Sequence, residues 1–137
     1  MSTLRYLPFI GRLLIGLPFV LSGLGKVTAA SMTIGYIASV GLPFPPLAFA
    51  VAVAVELGGG LLLVTGFRAR TVAAGMAVFT IATALAFHNN FADQNQMIHF
   101  LKNVMITGGL LQIVAFGAGA FSLDARRASA GLNAATA

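Results

Sequence analysis

The sequence predicts an all-α polytopic membrane protein: an up-down bundle of four transmembrane helices, with a short interfacial helix after the first span. Two observations predict this class. Of the 137 residues, 58% are hydrophobic and only 8% are charged, whereas a soluble domain carries about 25% charged residues. The apolar residues also fall into four runs of spanning length, separated by Gly, Pro or charged residues. A chain of this length then forms a single membrane domain.

The four predicted spans each hold 18 to 21 residues, which is the length that a helix needs to cross a hydrocarbon core of about 30 Å. They cover residues 7–27, 46–65, 71–88 and 102–121. Between the first two spans, Ile34, Ile37 and Ala38 recur at helical spacing, and Gly41 and a proline cluster follow. This pattern predicts the short helix lying in the interface. Residues 128–137 are rich in Ala, Gly and Ser, and we expect them to form a disordered tail.

The basic residues predict the orientation of the bundle. All six arginines fall on one side of a four-span topology, whereas the other side has only Lys26 and Lys102 near its helix ends. The positive-inside rule therefore places both chain termini in the cytoplasm. The first run is alternatively a cleaved signal peptide, but Lys26 separates it from the small residues of a cleavage site and three more spans follow.

Composition also excludes several function classes. The net charge of +5 comes from residues scattered at the ends of apolar runs, so no nucleic-acid partner is predicted. The chain has no cysteine, which excludes disulfides, thiol redox chemistry and thiolate metal sites. Two histidines without a cysteine or a paired acid nearby do not predict a metal site either.

Glu56 is the one ionisable residue within residues 46–65. A carboxyl at mid-depth in lipid costs several kcal/mol unless it is paired, hydrated or protonated. Arg12 is the predicted partner, because an axial offset of roughly 7 Å lies within reach of an extended arginine. This pair is either a structural staple that fixes the register of two helices or part of a ligand or proton site. The third alternative is that Glu56 faces lipid or is a protonated bystander.

A second polar group is predicted toward the outer face of the bundle. His99, Lys102 and Asn103 share one side of a helix at spacings of three and four, and His88 and Lys26 end their spans at a similar depth. A cavity roofed by Lys26, His88 and Lys102 would be cationic and would suit a carbonyl or anionic head group, with the apolar bundle taking a tail. The hypothetical ligand-binding residues are therefore Arg12, Lys26, Glu56, His88, Lys102 and Asn103. For Lys26 and His99 taken singly, a hydrated residue at the interface is the favoured interpretation.

Several segments in this order resemble the DoxX family of small bacterial four-span membrane proteins. They are RLLIG at residues 12–16, SGLGK at 22–26, GLP at 41–43, ELGGGLLL at 56–63, GFRAR at 66–70, His88, Lys102 with Asn103, and GGLL at 108–111. The resemblance covers about residues 6–127 and implies a location in the bacterial inner membrane. The family takes its name from subunits associated with quinol and quinone oxidoreductases, so the resemblance implies quinone or lipid handling, or an accessory role. Thiol chemistry suggested for related bundles does not apply to a chain without cysteine.

Three functions remain open. The first is binding of a quinone-like or other lipidic small molecule for a membrane redox or oxidative-stress system, in which the bound quinone or lipid is the expected cofactor. The second is a non-catalytic accessory subunit that packs against another membrane redox protein. The third is a carrier for a small solute or a proton, for which four short spans would require a homo-oligomer. No catalytic residue is predicted, and an accessory or ligand-binding subunit is favoured over an independent oxidoreductase.

Overall fold

The computed structural model describes residues 3–135, and within this range the chain forms helices and turns but no strand. A 3₁₀ turn at Thr3–Tyr6 leads into the first long helix. The helices are α1 (Leu7–Thr28), α2 (Ala30–Ser39), α3 (Pro45–Val53), a π-helical turn (Ala54–Gly59), α4 (Gly60–Thr65), α5 (Ala69–Phe87), α6 (Gln94–Phe116) and α7 (Leu123–Ala135).

Four helical segments in the described part of the chain are long and apolar enough to cross a membrane. They are Leu4–Thr28, Pro45–Thr65, Ala69–Phe87 and Gln94–Phe116. The second is continuous from α3 through the π-helical turn to α4. The helix expected after the first span is present as α2, which follows a single break in the α1 backbone at Ala29. The predicted all-α membrane fold is confirmed.

The fourth span differs from its predicted position. Helix α6 begins at Gln94 rather than at residue 102, because the Asp93 side chain accepts a hydrogen bond of 3.1 Å from the Gln96 N–H and so caps the helix. The helix ends before Gly117, whose φ of 82° breaks the helical conformation. The polar segment that precedes residue 102 is therefore largely helical.

The prediction of a disordered tail is wrong for residues 128–135. Helix α7 continues through Ala135, since the Ala-rich composition that suggested a disordered tail also favours a helix. Residues 136–137 lie outside the described part of the chain.

Close packing of α1 on the second span fixes the register between these two helices. A Cβ placed on Gly60 would lie 2.9 Å from the main-chain oxygen of Gly16 and 2.8 Å from Val20 Cγ2. Only a residue without a side chain allows the two backbones to approach this closely. On the same face, a Cβ on Gly23 would lie 2.8 Å from the backbone nitrogen of Leu57.

The bundle has two different ends. At the first, which we call the termini end, the start of α1 meets the α4–α5 turn and the segment after α6. At the second, the loop end, α2 and the turns at residues 40–44 and 88–93 come together. The buried hydrophobic core lies mainly between the second span, α5 and α6, and comprises Leu63, Ala69, Ala73, Met76, Ala77, Leu110, Ile113 and Ala118.

Candidate functional site

The predicted ion pair between Arg12 and Glu56 is wrong. Arg12 is fully buried at the termini end, where its guanidinium donates hydrogen bonds to four main-chain oxygens. Nε donates to Ala118 O (3.0 Å), Nη1 to Leu63 O (2.8 Å) and Val64 O (2.7 Å), and Nη2 to Phe121 O. Leu63 and Val64 lie in the last turn of α4, where carbonyls have no partner within the helix, whereas Ala118 and Phe121 lie in the non-helical segment after α6. Arg12 therefore joins α1, α4 and that segment. Its role in the structure is that of a staple.

The register of α1 explains why Arg12 does not reach Glu56. Its guanidinium lies at the level of Val64, eight residues beyond Glu56, or about 12 Å along the helix axis. The predicted offset of roughly 7 Å assumed that the two spans end at the same height. The contact between Gly23 and Leu57 instead places Lys26 within one helical turn of Glu56.

Glu56 pairs with Lys26. The Lys26 Nζ lies 2.8 Å from Glu56 Oε2 and also donates a hydrogen bond of 3.0 Å to Ser22 Oγ. Glu56 is only 7% exposed. The contact with Lys26 is an ion pair, and no hydrogen bond to Oε2 is found among residues 3–135. Lys26 thus turns toward Glu56 instead of lying as a hydrated residue at the interface, which is the interpretation for Lys26 taken singly.

The Lys26–Glu56 pair lines a cavity of about 680 Å³ at the loop end. This volume falls within the range of about 300–1,000 Å³ that is usual for small-molecule sites. The apolar wall comes from α2, α3, α5 and the turn between α2 and α3: Met32, Ile37, Leu42, Ala48, Val51, Ala52, Phe79, Ala82, Ala86 and Phe87. Ser22, Thr33, Tyr36, Thr83, His88 and Asn103 complete the lining with Lys26 and Glu56. The cavity thus combines a largely apolar wall with a few convergent polar groups.

Four of the six predicted ligand-binding residues meet at this cavity: Lys26, Glu56, His88 and Asn103. Arg12 and Lys102 do not line it. Lys102 is exposed on α6, whereas the neighbouring Asn103 faces the cavity. The predicted cationic roof is not formed, because Lys102 lies elsewhere and the charge of Lys26 is compensated by Glu56.

His88 and Asn103 differ in whether their side chains have hydrogen-bond partners in the protein. His88 Nδ1 lies 3.1 Å from Gln96 Oε1, and the imidazole stacks on His99 with the ring centroids 5.0 Å apart. For the Asn103 side-chain amide, in contrast, no partner is found among residues 3–135; only its main-chain oxygen accepts a hydrogen bond, from Thr107. The amide is therefore available to a ligand as both donor and acceptor.

Two features of the cavity are not evident in the sequence pattern. Glu56 lies in the π-helical turn Ala54–Gly59, a rare conformation that occurs often at functional sites. In the sequence, only the glycine run that begins at Gly58 indicated an irregular helix at this position. Tyr36 of α2 stacks on Phe87 of α5 with the ring centroids 5.5 Å apart, and both residues line the cavity. Helix α2 was predicted from its spacing, but its contribution to a cavity wall was not.

Asp124 is a further structural residue that the sequence did not single out. Its carboxylate accepts hydrogen bonds from the backbone N–H of Arg68 (2.7 Å) and of Ala69 (2.9 Å), and its own N–H donates to Gly66 O (3.0 Å). It therefore caps the N-terminus of α5 from a distant part of the chain. Together with Arg12, it stabilises the termini end, away from the cavity.

These features define a small four-span α-helical membrane protein, stapled at one end by a buried arginine and containing a cavity with a buried ion pair at the other. The DoxX family model matches residues 7–89, which is more than half of the chain, and the chain belongs to the DoxX family. The matched segment includes Lys26, Glu56 and His88, whereas Asn103 lies beyond it.

Two proteins of Escherichia coli (strain K12) are similar over most of their length. Inner membrane protein YqjF is 37% identical over 115 residues, which cover 84% of this chain and 87% of the relative. Inner membrane protein YphA is 36% identical over 140 residues, which cover 92% of this chain and 100% of the relative. No solved structure matches the chain.

Proposed function

We propose that this protein binds a quinone-like or other lipidic small molecule in the cavity at the loop end, as part of a membrane redox or oxidative-stress system. The observation that carries the proposal is the buried Lys26–Glu56 pair on the wall of an otherwise largely apolar cavity. Ionisable groups are costly at this depth and are usually functional where they are retained.

The cavity suits a ligand with a polar head and an apolar tail. Its volume of about 680 Å³ is sufficient for a ring-sized head group and the first part of a tail. The side chains of Val51, Phe79 and Phe87 provide an apolar surface, and Lys26 and Asn103 provide donors for a head-group oxygen. Aliphatic and aromatic walls with a few polar groups are typical of small-molecule sites.

The charges at the site favour a neutral head group over an anionic one. Lys26 and Glu56 carry opposite charges and lie 2.8 Å apart, so together they contribute no net charge to the cavity. A phosphate or carboxylate head group would bring an uncompensated negative charge close to Glu56, which is unfavourable in a medium of low dielectric constant. A carbonyl-bearing ring avoids this penalty and still accepts hydrogen bonds.

In this proposal the chain positions the lipidic molecule, and a partner redox protein of the membrane exchanges electrons with it. We place the chain in the bacterial inner membrane with both termini in the cytoplasm, since the arginines gather at the termini end. The cavity then lies toward the opposite side of the membrane. The second candidate is an accessory subunit without a ligand, which would pack against another membrane protein through the exposed apolar surface of the bundle.

The proposal is tested by native mass spectrometry of the protein taken from its membrane in a mild detergent. The wild type should carry a lipidic molecule of a mass that fits a quinone. Asn103→Leu should reduce its occupancy about two- to tenfold, the effect of one lost hydrogen bond. Asn95→Leu is the matched control, since Asn95 is exposed on the same helix and does not line the cavity.

A wild-type protein that carries no such molecule under these conditions, and gains none from added short-chain quinone, would contradict the proposal. Recovery of a ligand-free chain with an equimolar membrane protein would instead favour the accessory subunit.

A further inference from the structure

The Glu56 carboxylate needs hydrogen-bond donors that the described part of the protein does not provide. An ionised carboxylate is an acceptor only, with room for about four hydrogen bonds. Glu56 is more than nine-tenths buried, at 7% exposure, and lines the cavity. Within residues 3–135 its one polar contact is the ion pair with Lys26, and its Oε2 accepts no hydrogen bond. The buried Oε2 faces the Lys26 ammonium, and no residue within 3–135 donates a hydrogen bond to Oε1, so the carboxylate has acceptor capacity left for a ligand in this cavity.

Four hydroxyl groups line the cavity, and those of Thr33 and Thr83 donate to main-chain oxygens. Thr33 Oγ1 donates to the main-chain oxygen of Ala29, and Thr83 Oγ1 donates to that of Thr80. Neither of these hydroxyl hydrogens remains for the carboxylate, and the hydroxyls of Ser22, which accepts from Lys26, and of Tyr36 make no hydrogen bond to Glu56 within residues 3–135.

We infer that Glu56 makes the cavity selective for a neutral head group that donates a hydroxyl hydrogen, the hydroquinone or phenol class, over the oxidised form of the same ring. This inference rests on the function proposed above and specifies its ligand. A hydroxyl donates its hydrogen to the carboxylate, and the oxygen of that same hydroxyl accepts from the Lys26 ammonium nearby. Hydrogen bonds to an ionised group are about twice as strong as those between neutral groups.

The oxidised ring should bind less tightly because it has no hydrogen-bond donor. A quinone carries carbonyl oxygens only, so it accepts from Lys26 and Asn103 but donates nothing to Glu56. Its carbonyl lone pairs would face the carboxylate lone pairs, and the carboxylate would lose water without a replacement donor. Leaving a buried acceptor unsatisfied costs more than a typical hydrogen bond contributes.

The test compares three probes on the purified protein in lipid nanodiscs under anaerobic conditions. They are a 1,4-hydroquinone with a ten-carbon alkyl tail, the corresponding 1,4-benzoquinone, and the dimethyl ether of the hydroquinone. Affinities are measured by calorimetry and corrected for partition into empty nanodiscs. The hydroquinone should bind about tenfold or more tightly than either of the other two probes, since only the hydroquinone has hydroxyl hydrogens.

The Glu56→Gln variant tests whether Glu56 is responsible for the preference for the hydroquinone. The amide is similar in shape but uncharged and also donates, so the preference for the hydroquinone should fall to about threefold or less. Asp93→Asn is the matched control, because Asp93 caps α6 outside the cavity and Asn caps a helix equally well. This variant should keep the full preference. Each preference is a ratio measured on one protein sample, so partial unfolding of a variant does not alter it.

Two results would overturn the inference. If the wild type binds the quinone or the dimethyl ether as tightly as the hydroquinone, the selectivity is absent while the proposed function stands. If Glu56→Gln keeps the wild-type preference, another group is responsible for it. Failure of all three probes to bind would overturn the inference and the proposed function together.

Discussion

Replacement of Arg12 by lysine should destabilise the bundle severely, although the charge is kept. The arginine fork donates four hydrogen bonds in different directions, to main-chain oxygens of α4 and of the segment after α6. A lysine ammonium is a single point of charge and does not reproduce the fork. Hydrogen bonds to charged groups contribute about 1.5–3 kcal/mol each, so losing two of the four should cost about 3–6 kcal/mol in the free energy of unfolding.

The assay is equilibrium unfolding in detergent micelles, followed by circular dichroism. Arg126→Lys is the control, since Arg126 is exposed on α7 and its replacement should change stability by less than about 0.5 kcal/mol. A double-mutant cycle with Glu56→Gln adds a sharper comparison. Because Arg12 and Glu56 lie about 12 Å apart along the helix axis and share no partner, their effects should add within about 0.5 kcal/mol. Wild-type stability of Arg12→Lys, or a coupling energy well above 1 kcal/mol, would refute this reasoning.

Two further predictions concern packing and capping, and the same unfolding assay measures both. Gly60→Ala should cost about 1–3 kcal/mol because its Cβ would overlap Gly16 and Val20. Gly58→Ala is the control and should be neutral or slightly stabilising, because nothing lies within 4 Å of the added atom. Equal stability of these two variants would contradict the close packing of α1 against the second span at Gly60. Asp124→Ala should cost about 2 kcal/mol because two backbone N–H groups lose their acceptor. Asp124→Asn, which keeps one acceptor oxygen, should lose less, and an unchanged melting temperature for Asp124→Ala would show that the cap does not contribute.

The spans could be predicted from composition and hydrophobic runs because the bilayer imposes a length on each helix. The position of Glu56 within the second span also identified it as a residue that needs a partner. The identity of that partner could not be predicted, because it depends on how far α1 slides along the second span. That register is fixed by close approaches at Gly16, Gly23 and Gly60, and many glycines in the sequence could have played this role.

Arg12 illustrates a second limit. The sequence analysis paired Arg12 with a carboxylate because a sequence differs from position to position only in its side chains, so it indicates side-chain partners and not main-chain ones. Its actual partners are main-chain oxygens at Leu63, Val64, Ala118 and Phe121, and every residue has such an oxygen. Which of these oxygens lack a helical partner depends on where the helices end, and the predicted end of the fourth span was off by several residues. The capping of α5 by Asp124 could not be predicted for the same reason, because its partners are backbone N–H groups.

The central claim is that Glu56 faces Lys26 across a ligand cavity, while Arg12 serves only the structure. An experimental density map of the protein in nanodiscs, at a resolution that shows side chains, tests it most directly. We predict the Glu56 carboxylate within 4 Å of Lys26 Nζ, the ion-pair range in which the two already lie at 2.8 Å, with elongated density filling the cavity beside them. A carboxylate turned toward Arg12 or toward the acyl chains, with the cavity closed by protein side chains, would contradict the account.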